Sequence, residues 1–567
     1  MPALIAIENL TIQFGDPKTN APAVDQLNLE IQPGEFLALV GESGSGKSVT
    51  ARSLLQLLPN TGNLYPQGAI RYQPNPSAPA VDLLRLQPSD WTPIRGSRIS
   101  MIFQEPMTAL NPLMTCGEQI AEVLRRHKQL NRQAARLEAL RWIERVQIPD
   151  PESIYARYPH QLSGGQKQRI TIAAALCCGP DLLICDEPTT ALDVTVQQEI
   201  LQLIRKEQHT LGMAVLFISH DLALVSQYAN RVAVLYQGKL VEQGPNPEIF
   251  RNPQHPYTQA LIACRPAAHR KGHRLPLVRD FLEGVIPSPN HQEGPQIERL
   301  EPETLLEIDR LSIRYPGPKK GFGRPAPATP AVHEASFVIR KGEVLGLVGE
   351  SGSGKSSLGR AILGLIKPSS GSMWYNGQDL MTLNRTDWPL HRKQLQLIFQ
   401  DPYSSLNPRQ TIGEAIGEPL RVHGLAQTRE AEKIKVLEWL ERVQLKPEHY
   451  TRYPHEFSGG QRQRIVIARA LCLQPDFVVC DESVSALDVS VQAQILNLLN
   501  DLRRELNFTT LFISHDLGVI RYLCDRLLVL KNGQIVESGP TETVCTAPLH
   551  PYTQNLLQAI PKLKSVD

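Results

Sequence analysis

An eight-residue string occurs twice in this chain, as Gly41-Glu42-Ser43-Gly44-Ser45-Gly46-Lys47-Ser48 and as Gly349-Glu350-Ser351-Gly352-Ser353-Gly354-Lys355-Ser356. Its spacing, G-x-x-x-x-G-K-[ST], is that of a loop that cradles phosphate groups. The apolar run Phe36-Leu37-Ala38-Leu39-Val40 reads as a strand entering the first copy, and the stretch from Ser48 to Leu58 reads as a helix leaving it. Strand, glycine loop and helix in that order give the pattern a mechanism. Glycines let successive backbone N–H groups converge on phosphate oxygens, and the helix start adds the positive end of its dipole. Lys47 and Lys355 are then placed to reach the β- and γ-phosphates, and Ser48 and Ser356 to ligate Mg²⁺. An exact recurrence makes coincidence untenable.

The duplication extends well beyond the loops. Ser163 and Ser458, Glu187 and Glu482, His220 and His515, and His255 and His550 all lie 295 positions apart, and Gln104 and Gln400 lie 296 apart. The loop lysines differ by 308, so the first half carries extra residues, assigned to the proline-rich piece Tyr72 to Pro79. The second half carries its own Gly/Pro-rich insertion, Gly317 to Pro330. Both insertions are expected to be surface loops. The strands Leu10-Thr11-Ile12-Gln13-Phe14 and Leu27 to Ile31 precede the first phosphate loop, and Leu311 to Tyr315 and Phe337 to Ile339 precede the second. The resulting division is a domain over residues 1–275, a proline-rich linker over 276–302 and a second domain over 303–567. The run His269-Arg270-Lys271-Gly272-His273-Arg274, just before the linker, reads as a solvated charge run or as a contact for anionic lipid headgroups.

Two more motifs recur in each half. An apolar strand ends in two acids, Leu182-Leu183-Ile184-Cys185-Asp186-Glu187 and Phe477-Val478-Val479-Cys480-Asp481-Glu482. Parallel sheets bind ligands at the carboxyl ends of their strands, which places these acids beside the phosphate loops. Asp186 and Asp481 would hold Mg²⁺ through its water shell, and Glu187 and Glu482 would polarise the attacking water. Upstream stand Ser163-Gly164-Gly165-Gln166 and Ser458-Gly459-Gly460-Gln461, each opening a helix-forming run. Such a start offers a second anion-binding surface, or simply a helix cap.

Composition bounds the rest. At 567 residues and 41% hydrophobic content the chain is a multidomain globular protein with ample core. Its net charge of +2 provides no global basic field, so no nucleic-acid partner is expected. No run approaches 18 apolar residues, and the N-terminus lacks the features of a signal peptide. Cys185 and Cys480 sit in apolar strands, where a reduced buried thiol is expected, and the compartment is read as cytoplasmic.

Phosphate loop, Gln, Ser-Gly-Gly-Gln, Asp-Glu and His, in this order and twice over, resemble the nucleotide-binding domains of ABC ATPases across nearly the whole chain. The resemblance implies an α/β fold of two tandem P-loop NTPase (ABC ATPase) domains. Each would comprise a RecA-like core, an antiparallel β subdomain and a helical subdomain. It implies an ATPase with ATP and Mg²⁺ as cofactors. Gln104 and Gln400 would be Q-loop glutamines touching Mg²⁺, Asp193 and Asp488 would belong to D-loops, and His220 and His515 would be switch histidines at the γ-phosphate. Phe14 and Tyr315 would stack on adenine, although an aromatic there can equally be core. Val49 and Ser357, following the loop serines, would complete the nucleotide contacts. In the family two such domains close head to tail, so the halves would form an intramolecular pseudo-dimer. The site at Lys47 would be completed by Ser458 to Gln461, and that at Lys355 by Ser163 to Gln166.

Gln104 to Pro112, Gln400 to Pro408, the tails His255-Pro256-Tyr257-Thr258 and His550-Pro551-Tyr552-Thr553, and Asp481 to Gln492 resemble the oligopeptide, dipeptide and nickel importer subfamily. Its fused members include glutathione and microcin-type peptide importers. That subfamily implies two integral membrane permease subunits, an extracytoplasmic substrate-binding protein, and a peripheral position on the cytoplasmic face of the inner membrane. Only Cys264 and Cys545 lie near the His-Pro-Tyr-Thr runs. An iron–sulfur cluster needs about four thiolates, so none is expected. The alternative is a soluble twin-ATPase of the ribosome-associated type, which the short proline-rich linker disfavours.

Overall fold

The structure is a computed structural model that describes residues 2–15, 21–59, 64–104, 109–189, 192–285, 303–316, 329–384, 386–485, 487–560 and 563. Described residues up to Ile262, with Leu563, form one compact unit, and Ala263 to Ile560 form the other. Each unit holds a four-stranded and a six-stranded sheet.

In the first unit the smaller sheet is antiparallel, with Ile5–Ile12 between Val24–Ile31 and Gln67–Tyr72, and the short strand Val81–Asp82 at its edge. The larger sheet runs Lys239–Pro245, Arg231–Tyr236, Phe36–Val40, Ala214–Ile218, Leu182–Asp186, Ile99–Ile102. All its strands are parallel except Lys239–Pro245 at one edge. The central strands Phe36–Val40, Leu182–Asp186 and Ala214–Ile218 are buried along their whole length, as expected for a parallel sheet covered on both faces. Leu10, Ile12 and Ile70 of the small sheet and Leu39, Ile184 and Leu216 of the large one share a single core, which ties the two layers together. The second unit repeats the plan, with Val344–Val348 between Thr509–Ile513 and Arg526–Lys531, and Phe477–Asp481 next in order. A helical layer follows each small sheet, comprising Cys116–Lys128, Arg132–Arg145 and Gly164–Leu176 in the first unit.

Several sequence expectations shift in position. The helix after the first phosphate loop is Lys47–Ser53, shorter than the stretch to Leu58. Gln56 turns left-handed (φ 46°), and Arg95 takes the carbonyls of Leu55 and Gln56 that a longer helix would have used. The first strand ends at Ile12, before Phe14. Of the second insertion, residues 317–328 lie outside the described residues, and Pro330 already belongs to the strand Thr329–Arg340.

The packing boundary falls at Ala263, ahead of the division expected at 275. Two residues of the basic run, although still exposed, pair with acids of the second unit. Lys271 pairs with Asp525 at 2.5 Å and Arg274 with Asp501 at 2.9 Å. Leu275 N–H donates to Asn497 Oδ1 (3.0 Å), while Asn497 Nδ2 donates back to Leu275 O (2.8 Å). Leu275 is 1% exposed, and a short helix, Val278–Leu282, continues the segment. Residues 286–302 of the expected linker lie outside the described residues.

Candidate active site

Four strands of each large sheet deliver their site residues to one edge. In the first unit Ile99–Ile102 leads to Gln104, Leu182–Asp186 to Glu187, Ala214–Ile218 to His220, and Phe36–Val40 to the phosphate loop. Parallel neighbours necessarily end on the same side, so strand order alone gathers residues far apart in sequence.

The loop is shaped by glycines, at some of which a side chain would collide with neighbouring backbone. Gly41 has φ 150°, and a Cβ there would lie 2.2 Å from the Leu235 carbonyl oxygen; Gly349 repeats this with φ 156° and Leu530 at 2.2 Å. Gly46 (φ 99°) and Gly354 (φ 106°) start the helices Lys47–Ser53 and Lys355–Ile362. Ser43, Gly44, Ser351 and Gly352 form the exposed rim. Lys47 is only 6% exposed, and its Nζ donates to the carbonyls of Gly41 (2.8 Å) and Glu42 (2.6 Å). Lys355 does the same with Gly349 (2.8 Å) and Glu350 (2.9 Å).

Ser48 Oγ donates to Asp186 Oδ1 at 2.8 Å, and Ser356 Oγ to Asp481 Oδ1 at 2.9 Å. Asp186 Oδ2 is buried without a hydrogen-bond partner. Burial holds the Asp186 and Asp481 carboxyls above the usual range, partly opposed by the serine hydroxyls. A buried acid with an unmet oxygen beside a serine hydroxyl is a donor set that fits Mg²⁺, which binds through one or two carboxylates and retained waters.

The next acid is held from two sides. Gln104 Nε2 donates to Glu187 Oε2 (3.1 Å), and His220 Nδ1 lies 3.3 Å from Glu187 Oε1. In the second unit Gln400 Nε2 donates to Glu482 Oε2 (2.8 Å), with His515 Nδ1 at 3.5 Å from the same oxygen. Glu187 (φ 49°) and Glu482 (φ 48°) adopt left-handed backbone, unusual for glutamate. The N–H of Glu187 donates to Ile218 O and that of Glu482 to Ile513 O, both at 3.0 Å, which holds the turn. Burial lowers the pKa of His220 and His515, but the bond to and charge of Glu187 and Glu482 outweigh it and leave both raised. Burial pushes Glu482 up, yet the His515 contact prevails and holds it below the usual carboxylate range.

Ser163 caps the helix Gly164–Leu176 with a reciprocal pair: Gln166 N–H donates to its hydroxyl (3.3 Å) and Ser163 N–H to Gln166 Oε1 (3.1 Å). Ser458 and Gln461 repeat the box before Gly459–Leu471, so Gly164, Gly165, Gly459 and Gly460 occupy first turns. The two aromatic candidates differ. Tyr315 ends the strand Thr304–Tyr315, is 40% exposed, and its hydroxyl lies 3.0 Å from Ser357 Oγ. Phe14 is half-buried against the core, as is Val49. Asp193 and Asp488 cap the helices Val194–Leu211 and Val489–Leu506. Glu105 to Thr108 of the first Gln-to-Pro run lie outside the described residues.

The sequence reading missed two tyrosines as site residues. Glu42 N–H donates to the Tyr257 hydroxyl at 2.8 Å, and Glu350 N–H to that of Tyr552 at 3.1 Å. Both lie in the His-Pro-Tyr-Thr runs, whose recurrence was the only available signal.

Two phosphate loops, each facing an acid bracketed by glutamine and histidine, define a tandem ATP-binding cassette protein. Residues 24–190 and 332–485 match the ABC transporter family, and residues 241–286 and 536–567 match the C-terminal region of oligopeptide/dipeptide transporters. The chain is 48% identical over 562 residues to the glutathione import ATP-binding protein GsiA of Escherichia coli K12, covering 98% of this chain and 89% of that one. The Salmonella choleraesuis GsiA is 47% identical over 559 residues, with the same coverage of 98% and 89%. Among solved structures, the ATP-binding cassette MJ0796 bound to ADP and Pi is 28% identical, with a TM-score of 0.38, over 42% of this chain and 99% of that one. The chain belongs to the ABC transporter family, and its halves are tandem ABC ATPase domains.

Proposed function

We propose that this chain powers an ABC importer for glutathione, short peptides or related small solutes, using both cassettes to hydrolyse ATP. The observation that carries the hydrolytic reading is the acid held between Gln and His, in both units, at the sheet edge that also bears the loop lysine. Lys47 and Lys355 would draw on the β- and γ-phosphates, helped by the loop N–H groups. Glu187 and Glu482 would orient a water and accept its proton as its oxygen bonds to the γ-phosphorus and the bond to the β–γ bridging oxygen breaks. His220 and His515, charged to higher pH than an ordinary histidine, would steady the oxygens of the departing phosphoryl group. Ser48, Asp186 and Gln104, and Ser356, Asp481 and Gln400, would hold Mg²⁺, which supplies charge neutralisation on the phosphates. Tyr315 would stack on the adenine of its site, a role for which Phe14 is less exposed.

In this reading each ATP is also met by the Ser-Gly-Gly-Gln of the other half, so that Ser458 to Gln461 complete the site at Lys47. The partners would be two integral membrane permeases, served by an extracytoplasmic binding protein. The protein would then act from the cytoplasmic face of the inner membrane. Among the described residues no helix is long and apolar enough to cross a membrane. The segments resembling oligopeptide/dipeptide transporters, present in both halves, favour an importer over a ribosome-associated ATPase.

The test is affinity purification of the tagged chain from mildly solubilised native membranes, followed by mass spectrometry. Recovery of two integral membrane subunits is expected. Recovery of ribosomes without membrane proteins would overturn the importer reading and leave the ATPase chemistry intact.

A further inference from the structure

In each unit the transporter-type C-terminal segment folds back onto the phosphate loop. Glu242, on the edge strand Lys239–Pro245, accepts from the N–H groups of Gln254 (2.8 Å) and His255 (3.1 Å). Tyr257 N–H donates to His255 Nδ1 at 3.1 Å, which fixes the start of the helix Pro256–Ala263. The Tyr257 ring is 0% exposed and lies 4.2 Å, centroid to centroid, from Tyr236 at the end of its strand. Its hydroxyl is thereby aimed at Glu42 N–H, while the carbonyl of that same residue receives Lys47 Nζ.

The second unit repeats the hydrogen-bonded links, with the Lys531 ammonium over the Tyr552 ring (4.8 Å) where the first unit has Tyr236. Glu537 accepts from Leu549 N–H (2.8 Å) and His550 N–H (3.1 Å), and Tyr552 N–H donates to His550 Nδ1 (3.1 Å). The Tyr552 hydroxyl takes Glu350 N–H, and Lys355 donates to the Glu350 carbonyl. A chain of contacts thus runs from the edge strand through the tyrosine to the residue on which the lysine rests.

We propose that Tyr257 and Tyr552 are positioning residues for nucleotide binding, which make the C-terminal segment of each cassette part of its ATP site. Each hydroxyl fixes the backbone of the second loop residue and, through it, the carbonyl that orients the lysine. A loop held in its binding shape has less freedom to lose when ATP arrives, so the contact strengthens ATP affinity and leaves the chemical step alone. The proposal rests on the assignment of the two loops as ATP sites.

The test uses the full chain carrying Tyr257→Phe and Tyr552→Phe, which keeps both rings and removes only the hydroxyls. The dissociation constant for ATP and the KM are expected to rise about three- to tenfold. Turnover at saturating ATP should stay near the parent value. An unchanged dissociation constant and KM, whether or not the melting temperature falls, would overturn the proposal and assign the tyrosines to packing alone. If the double variant is not recovered folded, Glu242→Ala and Glu537→Ala loosen the segment without touching the rings. A weaker ATP affinity then supports the proposal, and an unchanged one overturns it. Lys47→Ala with Lys355→Ala separates the two readings. If that pair leaves ATP binding intact, the site assignment itself is wrong; if it abolishes binding while the Phe variant binds normally, only the tyrosine role fails.

Discussion

The Gln400 side-chain amide donates to the Glu482 carboxylate at 2.8 Å, joining the residue after one strand to the acid that ends its neighbour. With His515 on the same oxygen, Glu482 is held in place before any substrate arrives. Glu482→Gln keeps the shape of the side chain but removes its capacity to take a proton. Each of Glu187→Gln and Glu482→Gln should reduce turnover, and the double variant should reduce it by at least about a hundredfold while retaining ATP. Phosphate release and nucleotide retention on the purified chain check this, and parent-like turnover in the double variant would contradict it.

Asp186 keeps one oxygen on Ser48 and the other buried and unmet. Asp186→Asn with Asp481→Asn should therefore weaken the Mg²⁺ dependence of ATP binding, raising the Mg²⁺ concentration needed by about ten- to a hundredfold. Titrating Mg²⁺ at fixed ATP measures it. Affinity for ATP in excess chelator should change little, since the lysine and loop N–H groups are untouched.

The His515–Glu482 pair predicts a pH window. A histidine with a raised pKa contributes stability that is fully present below its ordinary 6.5 and is lost as pH rises through the raised value. A glutamate with a lowered pKa contributes stability present above its ordinary 4.5 and lost as pH falls through the lowered value. The melting-temperature difference between the parent and His515→Ala should be largest between these limits and shrink toward alkaline pH. A difference that grows steadily above pH 8 would exclude a charged pair.

Gly41 and Gly44 sit in one loop but differ in what surrounds them. A Cβ at Gly41 would collide with the Leu235 carbonyl and the Ser45 hydroxyl, whereas nothing lies within 4 Å of one at Gly44 (φ 80°). Gly41→Ala should destabilise the first unit by about 3 kcal/mol or more, and Gly44→Ala by only the left-handed backbone cost of about 1–2 kcal/mol. Hydrogen exchange in Phe36–Val40 distinguishes them, because a chain of two units has no single melting free energy.

Asn497 is 3% exposed and exchanges two hydrogen bonds with the Leu275 backbone. Asn497→Leu leaves both of those backbone groups buried without partners, at about 1–3 kcal/mol each. The Leu275 amide should then exchange faster, and the segment 263–285 should become sensitive to protease, while Phe36–Val40 exchanges as before.

Much of the site was legible because local chemistry forces it. The glycine spacing, the acid pair ending an apolar strand and the Ser-Gly-Gly-Gln helix starts are patterns whose geometry is set within a few residues. The tyrosine contact was not legible, since Tyr257 meets Glu42 across 215 positions and its phenol resembles any core aromatic. The pairing of the exposed basic run was hidden for a similar reason: Asp501 and Asp525, which receive Arg274 and Lys271, lie more than two hundred residues away. Phe14 and Tyr315 occupy matching places in the repeat, yet only burial separates the half-buried ring from the exposed one.

The docking of residues 263–285 onto the second unit means that the unit of duplication and the unit of packing do not share a border. A half-gene trimmed where the repeat begins, near residue 303, would encode a cassette with Asn497 bared and the face of Leu517–Leu523 that meets Ala267 left open. One beginning at Ala263 would carry its own brace. Fusion has thus done more than tether two copies, because the tail of one has become masonry in the other.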